Sequence, residues 1–133
     1  MEYLIDSNIL IDVLNADPSA VAMFSEITKN PCSISVVSYM EVLEGIFRFP
    51  ENPMTEDLFS DLLQDFDILP VTQSIARRCA IVRADLHSKG RRVRQRALDL
   101  LIAATAIEHN LTLVTRNQDD YSDIPGIVLF NDF

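Results

Sequence analysis

Asp6, Glu41, Asp99, Asn117 and Asp120 are the residues of this chain whose types and spacing suit metal-assisted hydrolysis. Asp6 closes the apolar run Tyr3-Leu4-Ile5, and Glu41 follows Ile34-Ser35-Val36-Val37. Asn117 and Asp120 follow Leu113-Val114-Thr115, while Asp99 opens Leu98 to Ile107, the most apolar stretch of the protein. If the runs at 3–5, 34–37 and 113–115 are parallel buried strands, their carboxyl ends share one sheet edge, where open α/β sheets bind ligands. Four carboxylates and an amide gathered there repel one another unless a divalent cation neutralises them.

Each acid also has a purely structural explanation. Asp6 can cap the short helix that follows it, and Asp99 can cap its own helix. Glu41 stands three residues after Ser38, the spacing of a capping box. Gly45, one turn later on the same face, favours a functional role for Glu41: a helical glycine costs about 0.5–1 kcal/mol relative to alanine, so a close approach to that face is expected. Glu44, Asp12, Glu56, Asp57, Asp61 and Asp65 lack such context and read as solvated helix faces. Singly, none of the five site residues carries a claim; their joint placement at strand ends does.

The elements that must position them follow from pattern. Residues 2–5 read as a short buried strand, 8–15 as a helical turn, and Pro18 to Thr28 as a helix capped by Asp17. Cys32 to Val37 is a β-branched strand. Ser38 caps the next helix, which runs to about Phe47 before Pro50 and Pro53 break the chain. Thr55 to Asp65 reads as an acidic amphipathic helix, Asp67 to Val71 as a strand, and Thr72 to Ser88 as a long helix stopped by Gly90. A buried helix over 97–109, a strand over 111–115 and a last edge strand over Ile127 to Phe130 complete the chain. Strands alternating with helices mean a parallel sheet covered on both faces. The expectation is α/β, a three-layer α/β/α sandwich with a central parallel sheet, forming a single domain over 1–133.

Composition narrows the function. At 133 residues with 48% apolar content the chain can bury a proper core. No apolar run approaches the roughly 18 residues of a membrane span, and Met1-Glu2-Tyr3 lacks the basic start of a signal peptide. Cys32 and Cys79 are isolated and read as apolar fillers of a reduced, cytoplasmic protein, without zinc-site spacing to His87 or His109. With only Gly45, Gly90 and Gly126 available, a dinucleotide fingerprint and a P-loop are both excluded. The net charge of −9 is unevenly spread: residues 77–96 hold eight cations and one acid, so that segment is +7 and the rest −16. Such asymmetry can present a basic surface to a polyanion. Arg77, Arg78 and Arg83 read equally well as a solvated helix face, whereas Arg91, Arg92, Arg94 and Arg96 lack acids nearby in sequence to balance them.

Four blocks, in this order and spacing, resemble the VapC-type PIN-domain endoribonucleases, the toxin half of bacterial or archaeal toxin–antitoxin pairs. They are Leu4-Ile5-Asp6-Ser7-Asn8-Ile9-Leu10, Ser38-Tyr39-Met40-Glu41 with Gly45, Asp99-Leu100-Leu101-Ile102-Ala103-Ala104-Thr105-Ala106, and Val114-Thr115-Arg116-Asn117 followed by Asp120-Tyr121. The resemblance spans essentially the whole chain. It implies that Asp6, Glu41 and Asp99 hold Mg²⁺ or Mn²⁺, with Asn117 or Asp120 completing the acidic pocket. Many relatives carry phenylalanine at the position of Tyr121, and some carry aspartate at that of Asn117. Hard oxygen ligands select Mg²⁺ or Mn²⁺ over zinc, and water attacking the phosphodiester leaves a 5′-phosphate and a 3′-hydroxyl. Thr115 and Arg116 are candidates for phosphate contact, with pairing to a carboxylate the alternative for Arg116. The implied partners are RNA and a cognate antitoxin, in a homodimer or a toxin–antitoxin hetero-oligomer, with no membrane. The antitoxin would follow the helix around Met40, Val42, Leu43 and Phe47, with Phe49 beyond it, unless those residues are core.

Two other classes compete. A haloacid-dehalogenase-type phosphatase needs a second aspartate two residues after the first, where this chain has Asn8. A receiver domain needs a lysine after a late strand, and neither Lys29 nor Lys89 follows one. A PIN-fold protein with little or no nuclease activity, acting as a partner-binding module, is the remaining alternative.

Overall fold

The structure, a computed structural model, describes residues 2–131. Four short parallel strands form its sheet: β1 (Tyr3–Ile5), β2 (Cys32–Ser35), β3 (Asp67–Leu69) and β4 (Thr112–Val114), in the order β3-β2-β1-β4. Tyr3 pairs with Cys32 on one side and Thr112 on the other, so β1 is central and the chain reverses direction of travel between β1 and β4. Six helices surround it: α1 (Ser7–Leu14), α2 (Pro18–Ile27), α3 (Val36–Arg48), α4 (Glu56–Leu62), α5 (Gln73–Ser88) and α6 (Ala97–Glu108). This is the expected three-layer α/β/α sandwich.

The alternation of β1 divides the core. Leu4 packs with Ile75, Cys79, Val82 and Leu86 of α5 and Leu100, Ala103 and Ala104 of α6. Tyr3 and Ile5 face the other way, with Ile9, Leu10, Ile27, Val42, Ile46 and Phe59 from α1 to α4. With a side-chain period of two, a one-residue slip of β1 would exchange these layers. Cys32 and Cys79 are free and buried, as expected of apolar fillers. Among the described residues no helix is long and apolar enough to cross a membrane.

Local chemistry sets most boundaries. Asp17, Thr55 and Thr72 accept hydrogen bonds from Ala20, Leu58 and Ile75 N–H groups and so cap α2, α4 and α5. Gly90, at φ 70°, ends α5 as the left-handed residue that lets Arg91 N–H reach the Leu86 carbonyl at 2.9 Å.

Other expectations need correction. The strand expected to reach Val37 stops at Ser35, whose hydroxyl caps α3 by accepting from Val37 N–H at 3.1 Å. Ser38 is therefore inside the helix, buried and without a hydrogen-bond partner for its hydroxyl, and Glu41 belongs to no capping box. Gly45 is not closely approached: a Cβ there would meet only the Met54 Cε, at 3.8 Å. The strand expected at Asp67 to Val71 ends at Leu69, before Pro70, which has no N–H to continue the ladder. Ile127 to Phe130 contributes a single bridge, Leu113 to Leu129, rather than a strand.

Candidate active site

Asp6 leaves β1 at the sheet's carboxyl edge while its N–H still donates to the Val114 carbonyl at 2.9 Å, so the β1–β4 ladder fixes its position. Asp6 is 3% exposed, and both its carboxylate oxygens accept hydrogen bonds. Oδ1 accepts from Ser7 N–H at 2.8 Å, capping α1 as one sequence reading expects. Oδ2 accepts from Thr115 Oγ1 at 2.7 Å and faces the Tyr121 hydroxyl at 3.4 Å. The same hydroxyl donates to Asp99 Oδ1 at 3.1 Å, so one phenol stands between two carboxylates.

Asp99 lies in the first turn of α6, where a negative charge gains from the helix dipole. It does not cap that helix; the N-cap residue is Arg96, which makes no side-chain capping bond. Glu41 joins the cluster from α3 through Ser7, whose hydroxyl donates to its Oε1 at 3.1 Å. Asp6, Glu41 and Asp99 are thus linked through donors on Tyr121 and Ser7.

Their electrostatics agree. Burial raises the carboxyl of Asp6 above its ordinary 3.8, and the charge of Asp99 adds to the rise. Burial also raises Asp99, with Asp120 contributing and the Tyr121 hydrogen bond opposing. Glu41 rises by burial and through the charges of Asp6, Asp99 and Glu44. Tyr121 is pushed far above the ordinary phenol range by burial and by Asp6 and Asp99, so its hydroxyl keeps its hydrogen. None of the three acids takes part in an ion pair among the described residues.

The other candidate residues divide. Asn117 and Asp120 bracket a short 3₁₀ turn (Gln118–Asp120) after β4, exposed beside the cluster, and the charge of Asp120 reaches Asp99. Thr115 is fully buried: its hydroxyl donates to Asp6 and accepts from Asn8 Nδ2 and Asn117 N–H, so the expected phosphate contact is replaced by a role in holding Asp6. Arg116 takes its alternative, pairing with Asp12 at 2.6 Å and Asp17 at 3.2 Å. Asp12 is accordingly an ion-pair partner rather than merely solvated.

Arg96 is the clearest correction in the basic segment. It is 9% exposed, forks onto both oxygens of Asp123 at 3.0 and 2.7 Å, and donates to the carbonyls of Arg92 and Asp120. It clamps the 118–123 loop to the start of α6, so its guanidinium is committed to protein acceptors, although it lines the same cleft as Arg91 and Arg92. Arg91, Arg92 and Arg94 are exposed, and Arg91 and Arg92 line a cleft of about 350 Å³ with Asp119, Asp120 and Asp123. Arg78 is half-buried and pairs with Glu108 of α6 at 2.7 Å, so it too is an ion-pair partner rather than merely solvated.

Ser7, Tyr121 and the Arg96–Asp123 clamp belong to the site and were not assigned to it from sequence. The Asp-Ser pair at a strand end is a local signal for the first; the other two depend on contacts 22 to 115 residues apart.

Every side chain gathered around Asp6 offers oxygen or a hydrogen-bond donor, with no sulfur or imidazole, a set suited to a hard cation such as Mg²⁺ or Mn²⁺. Among the described residues no three His, Cys, Asp or Glu side chains already form a group that could hold an ion.

The PIN domain family profile matches residues 3–127. The chain is 27% identical to Ribonuclease VapC2 of Rickettsia felis, with 98% of each chain covered. It is 25% identical to the tRNA(fMet)-specific endonuclease VapC of Shigella flexneri, covering 96% of this chain and 95% of that one. Its fold matches VapBC2 of Rickettsia felis, solved bound to a DNA fragment from the promoter, with a TM-score of 0.87, 27% identity and 98% of each chain covered. With the profile matched over 3–127, this chain belongs to the PIN-domain family and is similar along its length to VapC ribonucleases.

Proposed function

We propose that this chain is a Mg²⁺- or Mn²⁺-dependent endoribonuclease that hydrolyses RNA phosphodiester bonds and is restrained by a cognate antitoxin. The observation that carries this reading is the trio Asp6, Glu41 and Asp99: buried or half-buried, raised by burial, and without a cationic partner at the sheet's carboxyl edge. Names of relatives with ribonuclease and endonuclease activity support it.

Asp6, Glu41 and Asp99 would hold the cation, with Asn117 or Asp120 completing the pocket. When bound, it supplies Lewis-acid activation of water and neutralises charge on the phosphodiester. Ser7 and Thr115 orient the carboxylates. The exposed Arg91, Arg92 and Arg94 attract the RNA backbone, positioning rather than specifying the substrate. Attack by water at phosphorus with departure of the 3′ oxygen leaves a 5′-phosphate and a 3′-hydroxyl.

For the antitoxin, solved toxin–antitoxin relatives provide the precedent. On this chain Met40, Phe47 and Phe49 are 42%, 62% and 47% exposed along and just beyond α3, while Val42 is core. A partner laying apolar side chains there could direct an arginine fork into the uncompensated carboxylates.

The test is cleavage of RNA by nuclease-free purified protein. Activity should need Mg²⁺ or Mn²⁺, disappear with EDTA, and vanish in Asp99→Asn while the fold persists. Undiminished cleavage by Asp99→Asn would overturn the assignment. Full suppression of toxicity by a co-expressed neighbouring small reading frame is the matching result in cells; a chain harmless at high expression favours the non-catalytic binding module.

A further inference from the structure

We infer that Tyr121 is a specificity-determining positioning residue whose hydroxyl, lodged between Asp6 and Asp99, engages one carboxylate oxygen of Asp99 and so sets which divalent cation the acids accept. This rests on the reading of Asp6, Glu41 and Asp99 as cation holders.

The hydroxyl is not free to move aside. Tyr121 is 0% exposed, its ring packed in the layer beneath α5 and α6. Its N–H donates to the Gln118 carbonyl at 3.1 Å. On either side of it in sequence, Asp120 gives its carbonyl to Arg96 at 2.7 Å and Asp123 gives both carboxylate oxygens to the same guanidinium. Moving the phenol means moving a clamped loop.

A carboxylate offers about four lone-pair positions. On Asp6, Ser7 N–H takes one position on Oδ1 and Thr115 Oγ1 one on Oδ2, so about two are left; the single hydrogen of Tyr121 goes to Asp99, its nearer acceptor at 3.1 Å against 3.4 Å for Asp6. Asp99 gives Oδ1 to Tyr121 and keeps Oδ2 without a hydrogen bond. A cation meeting this pair finds Asp99 with one carboxylate oxygen already engaged, which disfavours bidentate binding by that acid. Mg²⁺ tolerates that, because it keeps several waters and binds through one or two carboxylates. Ca²⁺ seeks six to eight oxygens and often takes carboxylates bidentate. The hydroxyl therefore discriminates against the larger ion, since its hydrogen engages Asp99 Oδ1 and leaves Asp99 to bind through Oδ2 alone.

Tyr121→Phe keeps the buried ring and removes only the hydroxyl. Isothermal titration of MgCl₂ and of CaCl₂ into the EDTA-stripped full chain is the test, with wild type, Tyr121→Phe and Asp99→Asn side by side. The substituted protein should bind Ca²⁺ roughly tenfold more tightly, the scale of one hydrogen bond to a charged acceptor. Mg²⁺ should gain less, so the preference for Mg²⁺ narrows. Unchanged or weaker binding by Tyr121→Phe, with Asp99→Asn losing its cation, overturns the role of Tyr121 and leaves the site standing. Binding by Asp99→Asn equal to wild type overturns the site itself. Wild type supplies an independent readout by NMR: the hydroxyl hydrogen of buried Tyr121 should shift as Mg²⁺ is added and saturate with the calorimetric affinity. A resonance that stays fixed through saturation contradicts the inference.

Discussion

Two populations of carboxylates lie within this small fold, and they have opposite electrostatics. Asp6, Glu41 and Asp99, at the carboxyl edge of the sheet, are all raised, with burial the largest cause. Asp17 and Asp123, on the rim, are lowered, Asp17 chiefly by the Ser19 hydroxyl and Asp123 by Arg96. The contrast is not a shortage of cations. Arg96 stands three residues before Asp99 yet forks onto Asp123, and Arg116, next to Asn117, pairs with Asp12 and Asp17. The fold spends these two arginines on Asp12, Asp17 and Asp123 and gives the central acids no ion pair among the described residues, the charge of Arg96 only partly offsetting the rise of Asp99. That difference is what a cation-binding centre needs.

The largest effect belongs to the centre. Asp99→Asn keeps an oxygen able to accept from Tyr121 but removes a charge; RNA cleavage should fall by roughly a hundredfold or more, beyond the loss typical of residues that merely support metal ligands. Next comes the rim. Arg96→Met leaves Asp123 partly buried and unpaired and frees the 118–123 loop. Urea unfolding should show a loss of about 3 kcal/mol, the lower end for breaking a buried pair.

The two populations also predict opposite pH slopes for the cation-free protein. Raised carboxyls bind protons more readily folded than unfolded, so their contribution to stability is full below the ordinary carboxylate range and lost as pH rises through their raised values. Asp123 has the reverse sign: its contribution is present above its ordinary 3.8 and lost as pH falls through its lowered value. In unfolding measured against pH, Asp99→Asn should flatten the decline above that range, and Arg96→Met should flatten the decline below it. Identical profiles for both substitutions would remove the distinction.

Smaller effects test the exposed arginines. Neutralising Arg91 and Arg92 together should weaken RNA binding and reduce its salt slope by about 1.4 if each contacts one phosphate of a single strand. Cleavage position should stay the same. Arg116→Gln should change stability by less than about 1 kcal/mol, since its pairs are solvent-exposed.

Much of this was legible from the chain. The β1 run, the buried α6 pattern and the cap Asp17 are local signals, and local chemistry decides them. The start of α3 was not. Ser35 and Ser38 both have cap chemistry, and Val36-Val37 favours a strand; packing of Val37, Val42 and Ile46 into the core starts the helix three residues early. The acids were legible because a carboxylate at the end of an apolar run is conspicuous in one dimension. Arg96 was misjudged because sequence displays its charge but not Asp123, 27 residues away, and the role of Tyr121 exists only once β1, α6 and the loop after β4 meet.

The central claim, that the uncompensated acids await a divalent cation, is tested most directly by thermal unfolding of EDTA-stripped protein with and without MnCl₂ or MgCl₂. At about a hundred times the dissociation constant, binding to the folded state alone adds roughly 2.7 kcal/mol, or on the order of 10 °C in Tm for a domain of this size. Wild type should show that rise and Asp99→Asn should not. A wild-type Tm indifferent to either cation at tens of millimolar, or an equal rise in both proteins, would contradict the account.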